Sequence, residues 1–417
     1  MDGSRLDQLN ARSRFDADGA TLLTTDEVAP LLEAAVEHAG GRLASWALDH
    51  VDANPGSSTT ATYVARVGWP YGVRTELLGV SARVGGPSDA DTTADIFDDG
   101  EREVAVWLYP QDPDLPGLRR AAYAESMADV CNEHRVFSSP VHPSNLALTM
   151  VGYRPRRRAV VKATATATGE SVYVKVLRAH LAPGVVARHR MLGDAGVPVA
   201  TIRAVTDDHL MILDELADES LAVAMFDPVP PCTAEDLIGL LDSMPAALCE
   251  LERRAPWTES VCHYAQMVAQ VVPTLERRLV RLTDAIESGL AGVRPGHEPT
   301  HGDFHEGQLQ VAGGRVTGLL DVDTAGPGRR ADDLACLVAH LSTVEHMSPA
   351  QRDRVQRLVR TWVPVFDARV DTVELRLRAA AVIVSLATGP FRGQEPGWER
   401  ETELMIASAE ALVRQVA

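Results

Sequence analysis

The chain has 417 residues and a formal net charge of −18, with 45% apolar and 24% charged residues. This length exceeds one compact core, so two or three subdomains are expected, and the composition is that of an ordinary globular protein. So acidic a surface disfavours nucleic acid and anionic membranes as partners and favours neutral or cationic ones, unless the acidity serves only solubility.

The cysteines and the N-terminus indicate the compartment. Five cysteines are scattered along the chain without a C-x-x-C pair, which disfavours a zinc site or a disulfide framework and predicts a reducing cytoplasm. The polar stretch over residues 1–16 lacks the pattern of a signal peptide. A cytoplasmic protein is therefore expected, and both a monomer and a homodimer stay open.

The first 110 residues predict mixed structure without a chemical motif. A helix is expected over Glu27–His38, and alternating apolar residues favour strands at Thr60–Val67 and Val104–Leu108. The next elements, to about residue 216, are expected to be a helix at 116–134, a hairpin of Arg158–Thr164 and Ser171–Leu177, a helix at Gly184–Ala195 and a strand at His209–Leu213.

Two lysines make this hairpin a candidate anion-binding site. Of 40 basic residues only Lys162 and Lys175 are lysine, and lysine, a compact point charge, is not interchangeable with arginine. If Thr168 and Gly169 form the turn, the two lysines lie directly opposite, which is unfavourable unless an anion lies near them. A one-residue slip would move Lys162 to the other face, where it would be a solvated strand residue.

Beyond residue 216 the pattern is mostly helical. The one exception is Thr300–Asp323, which predicts loops and strands. The helices are expected at 233–254, 258–289, 331–345, 348–362, 371–387 and 398–415.

The exceptional segment carries the candidate chemistry. It reads THGDFHEGQLQV from Thr300, with Asp303 five residues before Gln308, and then VTGLLDVD, a buried strand that ends in Asp321 and Asp323. Phosphoryl transfer needs a carboxylate to orient and deprotonate a hydroxyl, oxygen ligands for Mg²⁺ and a cation for the other phosphates. Strand alternation would place Asp323 on the face of Asp321, either as a second metal ligand or as a solvated acid.

These residues resemble the aminoglycoside phosphotransferase and choline kinase-like family. The family pattern H-G-D-x-H-x-x-N, a strand ending in Asp, and G-x-x-x-x-D-L-A is matched in order, with Gln308 in place of Asn. The resemblance implies the following roles: Asp303 as catalytic base, Gln308 and Asp321 as magnesium ligands, Asp333 and His301 as structural supports of the loop, and His305 as a candidate substrate contact.

The same resemblance implies an α+β, protein-kinase-like bilobal fold. It would comprise an extra cap subdomain at 1–110, a strand-rich N-terminal lobe at 111–216 that binds ATP, and a helical C-terminal lobe at 217–417. Lys175 would grip the ATP phosphates with Lys162 beside it, and the connector carrying Leu213 and Glu215 would bind adenine through its backbone. The usual glutamate on the next helix is missing, since Gly184–Ala195 offers only Arg188, His189 and Asp194.

The acceptor is indicated by the segment FRGQEPGWERETE at Phe391–Glu403. Trp398 could stack on a sugar ring while Glu395 or Glu399 binds hydroxyls or an ammonium group, although acids at an exposed helix N-terminus are also ordinary. Layout and sequence resemble the capped maltokinase-like branch, and within it actinobacterial glucosamine kinases, which phosphorylate the 6-hydroxyl of an amino sugar. Glucosamine therefore ranks first, maltose second and an aminoglycoside third. A pseudokinase that only binds nucleotide stays open.

Overall fold

The computed structural model describes residues 16–86, 93–98, 103–344 and 347–416. The predicted N-terminal stretch 1–16 lies almost wholly outside these residues. The chain forms two compact units. The first comprises Met1–Ala182, Arg203–Leu213 and Phe391–Pro396, and the second comprises Pro183–Ile202, Asp214–Pro390 and Gly397–Ala417. The first is strand-rich and the second is mostly helical, so the predicted α+β class with two lobes is confirmed. The predicted boundaries near residues 110 and 216 stay predictions.

The first unit begins with two helices and an antiparallel sheet of order β1-β2-β3-β5-β4. Alternating burial along β2 places Ala61, Tyr63, Ala65 and Val67 against the helices, where their apolar surface leaves water. The elements are α1 (Ala20–Thr24), α2 (Ala29–His38), β1 (Arg42–Asn54), β2 (Ser58–Trp69), β3 (Gly72–Arg83), β4 (Asp95–Asp98) and β5 (Glu103–Leu108).

A second sheet of order β6-β7-β8-β10-β9 follows. The predicted helix at 116–134 is two helices, because Tyr123 adopts an extended conformation between them. The elements are α3 (Leu118–Ala122), α4 (Ala124–Glu133), β6 (Leu146–Arg154), β7 (Arg158–Ala165), β8 (Ser171–Leu177), α5 (Ala182–Asp194), β9 (Ile202–Val205) and β10 (Leu210–Asp214).

The register of the lysine hairpin differs from the predicted one. Lys162 lies opposite Tyr173, and Lys175 lies opposite Val160. The connection spans residues 166–170 instead of being a two-residue turn, and this shifts the pairing by two positions. A two-residue shift preserves the face, so both lysines remain on one side of the sheet as diagonal neighbours.

The second unit contains the remaining elements, except Phe391 and Arg392. Two predicted helices are shorter than expected. The helix predicted at 233–254 ends at Asp242, shortly before Pro245, and the one at 258–289 is interrupted at Pro273, which lacks the N–H of a helix interior. The elements are β11 (Glu219–Ser220), α6 (Leu221–Ala224), α7 (Ala234–Asp242), α8 (Val261–Val271), α9 (Glu276–Gly289), β12 (Glu298–Thr300), β13 (Leu309–Ala312), β14 (Arg315–Leu319), β15 (Gly326–Gly328), α10 (Arg330–Thr343), α11 (Pro349–Asp367), α12 (Thr372–Leu386), α13 (Gly389–Arg392) and α14 (Trp398–Arg414).

A hairpin inserted between these helices positions the candidate site. Strands β13 and β14 pair antiparallel across Gly313 and Gly314, both with positive φ, as a tight two-residue turn requires. The helix α10 lies beside β12 and the turn at Glu306–Gln308 that precedes this hairpin, and it is buried along most of its length. Among the described residues, no helix combines the length and the apolar character needed to cross a membrane.

Candidate active site

The loop at 300–308 is held by one buried carboxylate of α10. Asp333 is fully buried, and its two oxygens accept the backbone N–H groups of His301 (2.9 Å) and Gly302 (2.8 Å). Burial raises the pKa of Asp333 to about 6, although these hydrogen bonds and the nearby His301 and Arg330 favour the charged form. One side chain therefore fixes the backbone immediately before Asp303.

A glycine is required beside that anchor. Gly302 has a φ of +83°, and a Cβ atom there would lie 2.9 Å from the carbonyl oxygen of Thr324. Only glycine adopts this conformation without strain and leaves room for the neighbouring backbone. The hydroxyl of Thr324 in turn donates to the carbonyl of His301 at 2.9 Å.

The imidazole of His301 joins the loop to the end of β14. Its Nδ1 accepts the N–H of Asp303 at 3.3 Å, so its Nε2 carries the proton and donates to the carbonyl of Leu320 at 2.9 Å. The ring is fully buried. Two hydrogen bonds through one ring therefore bring Asp303 close in space to the residue that precedes Asp321.

The two central carboxylates are half-buried instead of being enclosed in the apolar core. Asp303 and Asp321 both retain partial exposure, while the intervening Phe304 is fully buried and anchors the loop. The thiol of Cys336 on α10 approaches one oxygen of Asp303 at 4.0 Å. A carboxylate placed in this way can accept a proton from a bound hydroxyl.

The predicted strand does not extend to Asp323. Strand β14 ends at Leu319, Asp321 adopts a left-handed conformation with φ +51°, and residues Val322–Thr324 form a 3₁₀ turn. Strand alternation therefore does not relate Asp323 to Asp321. A positive φ at a non-glycine residue is uncommon and is often found at functional sites.

Gln308 lies at the same open end of the hairpin as Asp321. Its backbone carbonyl accepts the N–H of Leu320 at 2.7 Å, so Gln308 and Asp321 flank one hydrogen-bonded position. The amide of Gln308 and the carboxylates of Asp321 and Asp323 can each offer an oxygen ligand. Such donors suit Mg²⁺, a hard cation that prefers oxygen ligands.

Two side chains of the loop form a cluster with one from α10, and the sequence analysis identified only one of the three. The rings of His305 and His340 stack with centroids 4.1 Å apart and planes 7° apart. The carboxylate of Glu306 lies 3.9 Å from Nδ1 of His305 and 3.6 Å from Nδ1 of His340. Burial and the charge of His340 lower the pKa of His305. Burial would raise the pKa of Glu306, but its contacts with the two histidines bring it below its usual value.

Helical spacing could have revealed His340. Asp333, Cys336 and His340 are separated by three and four residues on α10, so they share one face. Each of them contacts the 300–308 loop, at its backbone, at Asp303 and at His305 respectively. We call these three residues the support face of α10.

The predicted nucleotide residues lie mainly in the first unit. Lys175 on β8 is buried with 8% exposure, and the ammonium of Lys162 lies 5.6 Å from the centroid of the Tyr173 ring. Leu213 is in β10, and Glu215 directly follows that strand. On α5, Arg188 donates to the carbonyl of Ala325 at 2.8 Å, within the second unit.

The predicted acceptor residues follow α13. Glu395 belongs to the first unit and is exposed. Trp398 is half-buried at the start of α14, and Glu399 is exposed in its first turn. Gly397 precedes them with φ +79°, which lets the chain turn sharply into the helix.

Comparison with known proteins decides the family. The model of the phosphotransferase enzyme family matches residues 156–365, about half of the 417 residues. The chain belongs to this family. The resemblance that the loop motif indicated is thus confirmed at the level of this family. No curated protein matches its sequence.

Several solved structures resemble the phosphotransferase at low identity. A thermostable mutant of aminoglycoside phosphotransferase APH(4)-Ia, in apo form, is 13% identical, with a TM-score of 0.47 over 65% of this chain and 96% of that one. Macrolide 2'-phosphotransferase MphH from Brachybacterium faecium is 16% identical, with a TM-score of 0.43 over 69% and 97%. Choline kinase from Cryptosporidium parvum Iowa II is 7% identical, with a TM-score of 0.47 over 70% and 95%.

Proposed function

We propose that this phosphotransferase transfers the γ-phosphoryl group of ATP to a sugar hydroxyl, with glucosamine as acceptor and glucosamine 6-phosphate as product. The observation that carries the proposal is the hydrogen-bonded link from Asp303 through His301 to Leu320, which places the candidate base beside the strand end that bears Asp321. Both carboxylates retain access to solvent, as reacting groups must.

Asp303 is the proposed catalytic base. A half-buried carboxylate whose backbone is fixed at His301 and Gly302 can orient the 6-hydroxyl and accept its proton as the phosphorus–oxygen bond forms. Because Asp333 and His301 hold the loop on both sides, little reorganisation is needed when the acceptor binds. Asp333 and His301 are therefore proposed as supports and not as reacting groups.

Gln308 and Asp321 are the proposed magnesium ligands, with Asp323 as a third candidate. When bound, Mg²⁺ would neutralise charge on the nucleotide phosphates. Lys175, and beside it Lys162, would neutralise further phosphate charge. The backbone around Leu213 and Glu215 would hydrogen-bond adenine. Residues 1–110 are proposed to form a cap subdomain that precedes the nucleotide-binding lobe, without an assigned role.

The amino sugar is proposed from the acidic segment around Trp398. An indole can stack on the apolar face of a pyranose, and Glu395 or Glu399 can pair with an ammonium group that glucosamine carries and maltose lacks. His305, beside Asp303 in the loop, is a further candidate contact to the sugar. The net charge of −18 also favours a cationic acceptor over an anionic one.

The test is ADP release by the purified protein with ATP, Mg²⁺ and a panel of acceptors. Glucosamine should give the highest kcat/KM, and mass spectrometry should find one phosphate on its 6-oxygen. Faster turnover of maltose to maltose 1-phosphate, or of an aminoglycoside, would replace the acceptor assignment. Nucleotide binding without release with every acceptor would leave a pseudokinase and refute the proposal.

A further inference from the structure

The cluster of His305, Glu306 and His340 lies beside the catalytic residues but has no role in the proposed reaction beyond a candidate sugar contact of His305. All three side chains are mostly buried, with 14–19% exposure. Their nearest nitrogen and oxygen atoms lie within 4.8 Å of one another. Ordering three polar side chains in one buried place costs free energy, so their arrangement calls for a physical explanation.

The orientation of the His305 ring is fixed on three sides. One face stacks on His340. Its Nδ1 accepts the N–H of Gly307 at 3.1 Å. A Cβ atom at position 307 would lie 2.8 Å from Cε1 of the same ring, so the glycine leaves the space that the ring fills.

These contacts determine which nitrogen of the His305 ring carries the proton. Because Nδ1 accepts an N–H, the proton of the neutral ring is on Nε2. The amide nitrogen of Gln308 lies 3.0 Å from Nε2 of His305. An N–H needs an acceptor, and the oxygen and nitrogen of an amide are interchangeable by a half-turn. Two N–H groups would otherwise face each other, so the amide takes the half-turned orientation, in which its oxygen accepts the N–H of His305 and its second lone pair can point toward a cation.

We propose that His340 is a positioning residue, held by Glu306, that keeps the His305 ring in place so that His305 fixes the amide oxygen of Gln308 as a magnesium ligand. This inference rests on the proposed function, since it assumes that Gln308 binds Mg²⁺. Residues that orient a metal ligand commonly contribute 10–100-fold to metal affinity.

The position of Gln308 makes such support physically useful. Glutamine has one more rotatable bond than the asparagine of the family pattern, so its oxygen samples more positions unless a neighbour restrains it. The His305 N–H supplies that restraint. The stack with His340 limits tilting of the His305 ring, and the carboxylate of Glu306 contacts Nδ1 of His340 at 3.6 Å.

The experiment measures Mg²⁺-dependent nucleotide binding, which does not depend on turnover. Calorimetric titration with ADP at varied Mg²⁺ would be done on the full-length wild type and on H340A, H340F and T343A. H340A should raise the half-saturating Mg²⁺ concentration about tenfold while leaving the metal-free affinity for ADP unchanged. H340F retains a ring against His305 and should recover most of the loss.

The control T343A removes a side chain from the same helix, whose hydroxyl bonds only within that helix, and should leave the Mg²⁺ dependence unchanged. The inference is overturned if folded H340A shows the wild-type Mg²⁺ dependence, if T343A shows the same shift, or if H340F is no better than H340A. Absence of sugar turnover in the wild type would refute the proposed function alone. A wild type that binds ADP without regard to Mg²⁺ would refute both.

Discussion

Replacing Gly302 by alanine tests how tightly the loop at 300–308 is constrained. The φ of +83° costs an alanine about 1 kcal/mol. The added Cβ would lie 2.9 Å from the Thr324 carbonyl oxygen, a backbone atom that cannot swing aside. Relieving that overlap by shifting backbone adds about 1–3 kcal/mol. We therefore expect G302A to lose about 2–4 kcal/mol of unfolding free energy.

Gly292 provides a matched control. It has the same φ of +83°, and nothing lies within 4 Å of the Cβ that alanine would add. G292A should therefore lose only the backbone contribution, about 1 kcal/mol. Urea unfolding followed by circular dichroism would measure both variants, since a change in midpoint at constant slope reports stability.

Activity separates the two glycines further. A shift of the Gly302 backbone moves Asp303, so kcat for the sugar should fall at least tenfold in G302A and remain near the wild-type value in G292A. If G302A is no less stable than G292A and turns over normally, the loop tolerates displacement. The rigid positioning of Asp303 by Asp333 and His301 would then be wrong.

Three further outcomes follow from the same contacts. Asp303→Asn should reduce turnover by about a thousandfold while leaving the calorimetric affinity for ATP nearly intact, and normal turnover would exclude Asp303 as the base. Burial raises the pKa of Asp333 to about 6 in the folded protein, above its value in the unfolded chain. Protonated Asp333 therefore stabilises the fold below about pH 4, and this contribution is lost as the pH rises through 6. Relative to Asp333→Asn, the wild type should lose roughly 3 kcal/mol of unfolding free energy between pH 4 and 7 in denaturant titrations. The carboxylate of Asp52 lies 2.6 Å from Arg392 and 3.2 Å from Arg157. Asp52→Asn should therefore loosen the segment that carries Glu395 and raise the KM for the sugar about fivefold with little change in kcat, as measured by steady-state kinetics.

The loop and hairpin at 300–319 were predictable because their residue pattern is local. Asp303, Gln308 and Asp321 occur at intervals that a short loop and a tight hairpin require, and Gly313 with Gly314 marks the turn between the strands. Local sequence contained this information because the parts lie within about twenty residues. The same reasoning placed the strand-rich part of the chain before the helical part.

Features that residue type alone does not determine were predicted less well. The pairing of Lys162 with Tyr173 follows from a five-residue connection, and nothing in the hairpin sequence excluded the shorter turn. Asp321 adopts a left-handed conformation that residue type does not require. His340 reaches His305 only because α10 packs beside the loop, so its contact is set by tertiary structure.

The support face of α10 explains how one helix can control several parts of the loop. Its residues lie three and four positions apart, so a single rigid element presents a carboxylate to the loop backbone, a thiol to Asp303 and a ring to His305. Any shift of α10 would therefore disturb the backbone, the base and the proposed metal ligand together. The glutamine at 308 increases this dependence, because its longer side chain reaches the His305 ring and is restrained by it. A shorter asparagine there would lie farther from Nε2 and would depend less on His340.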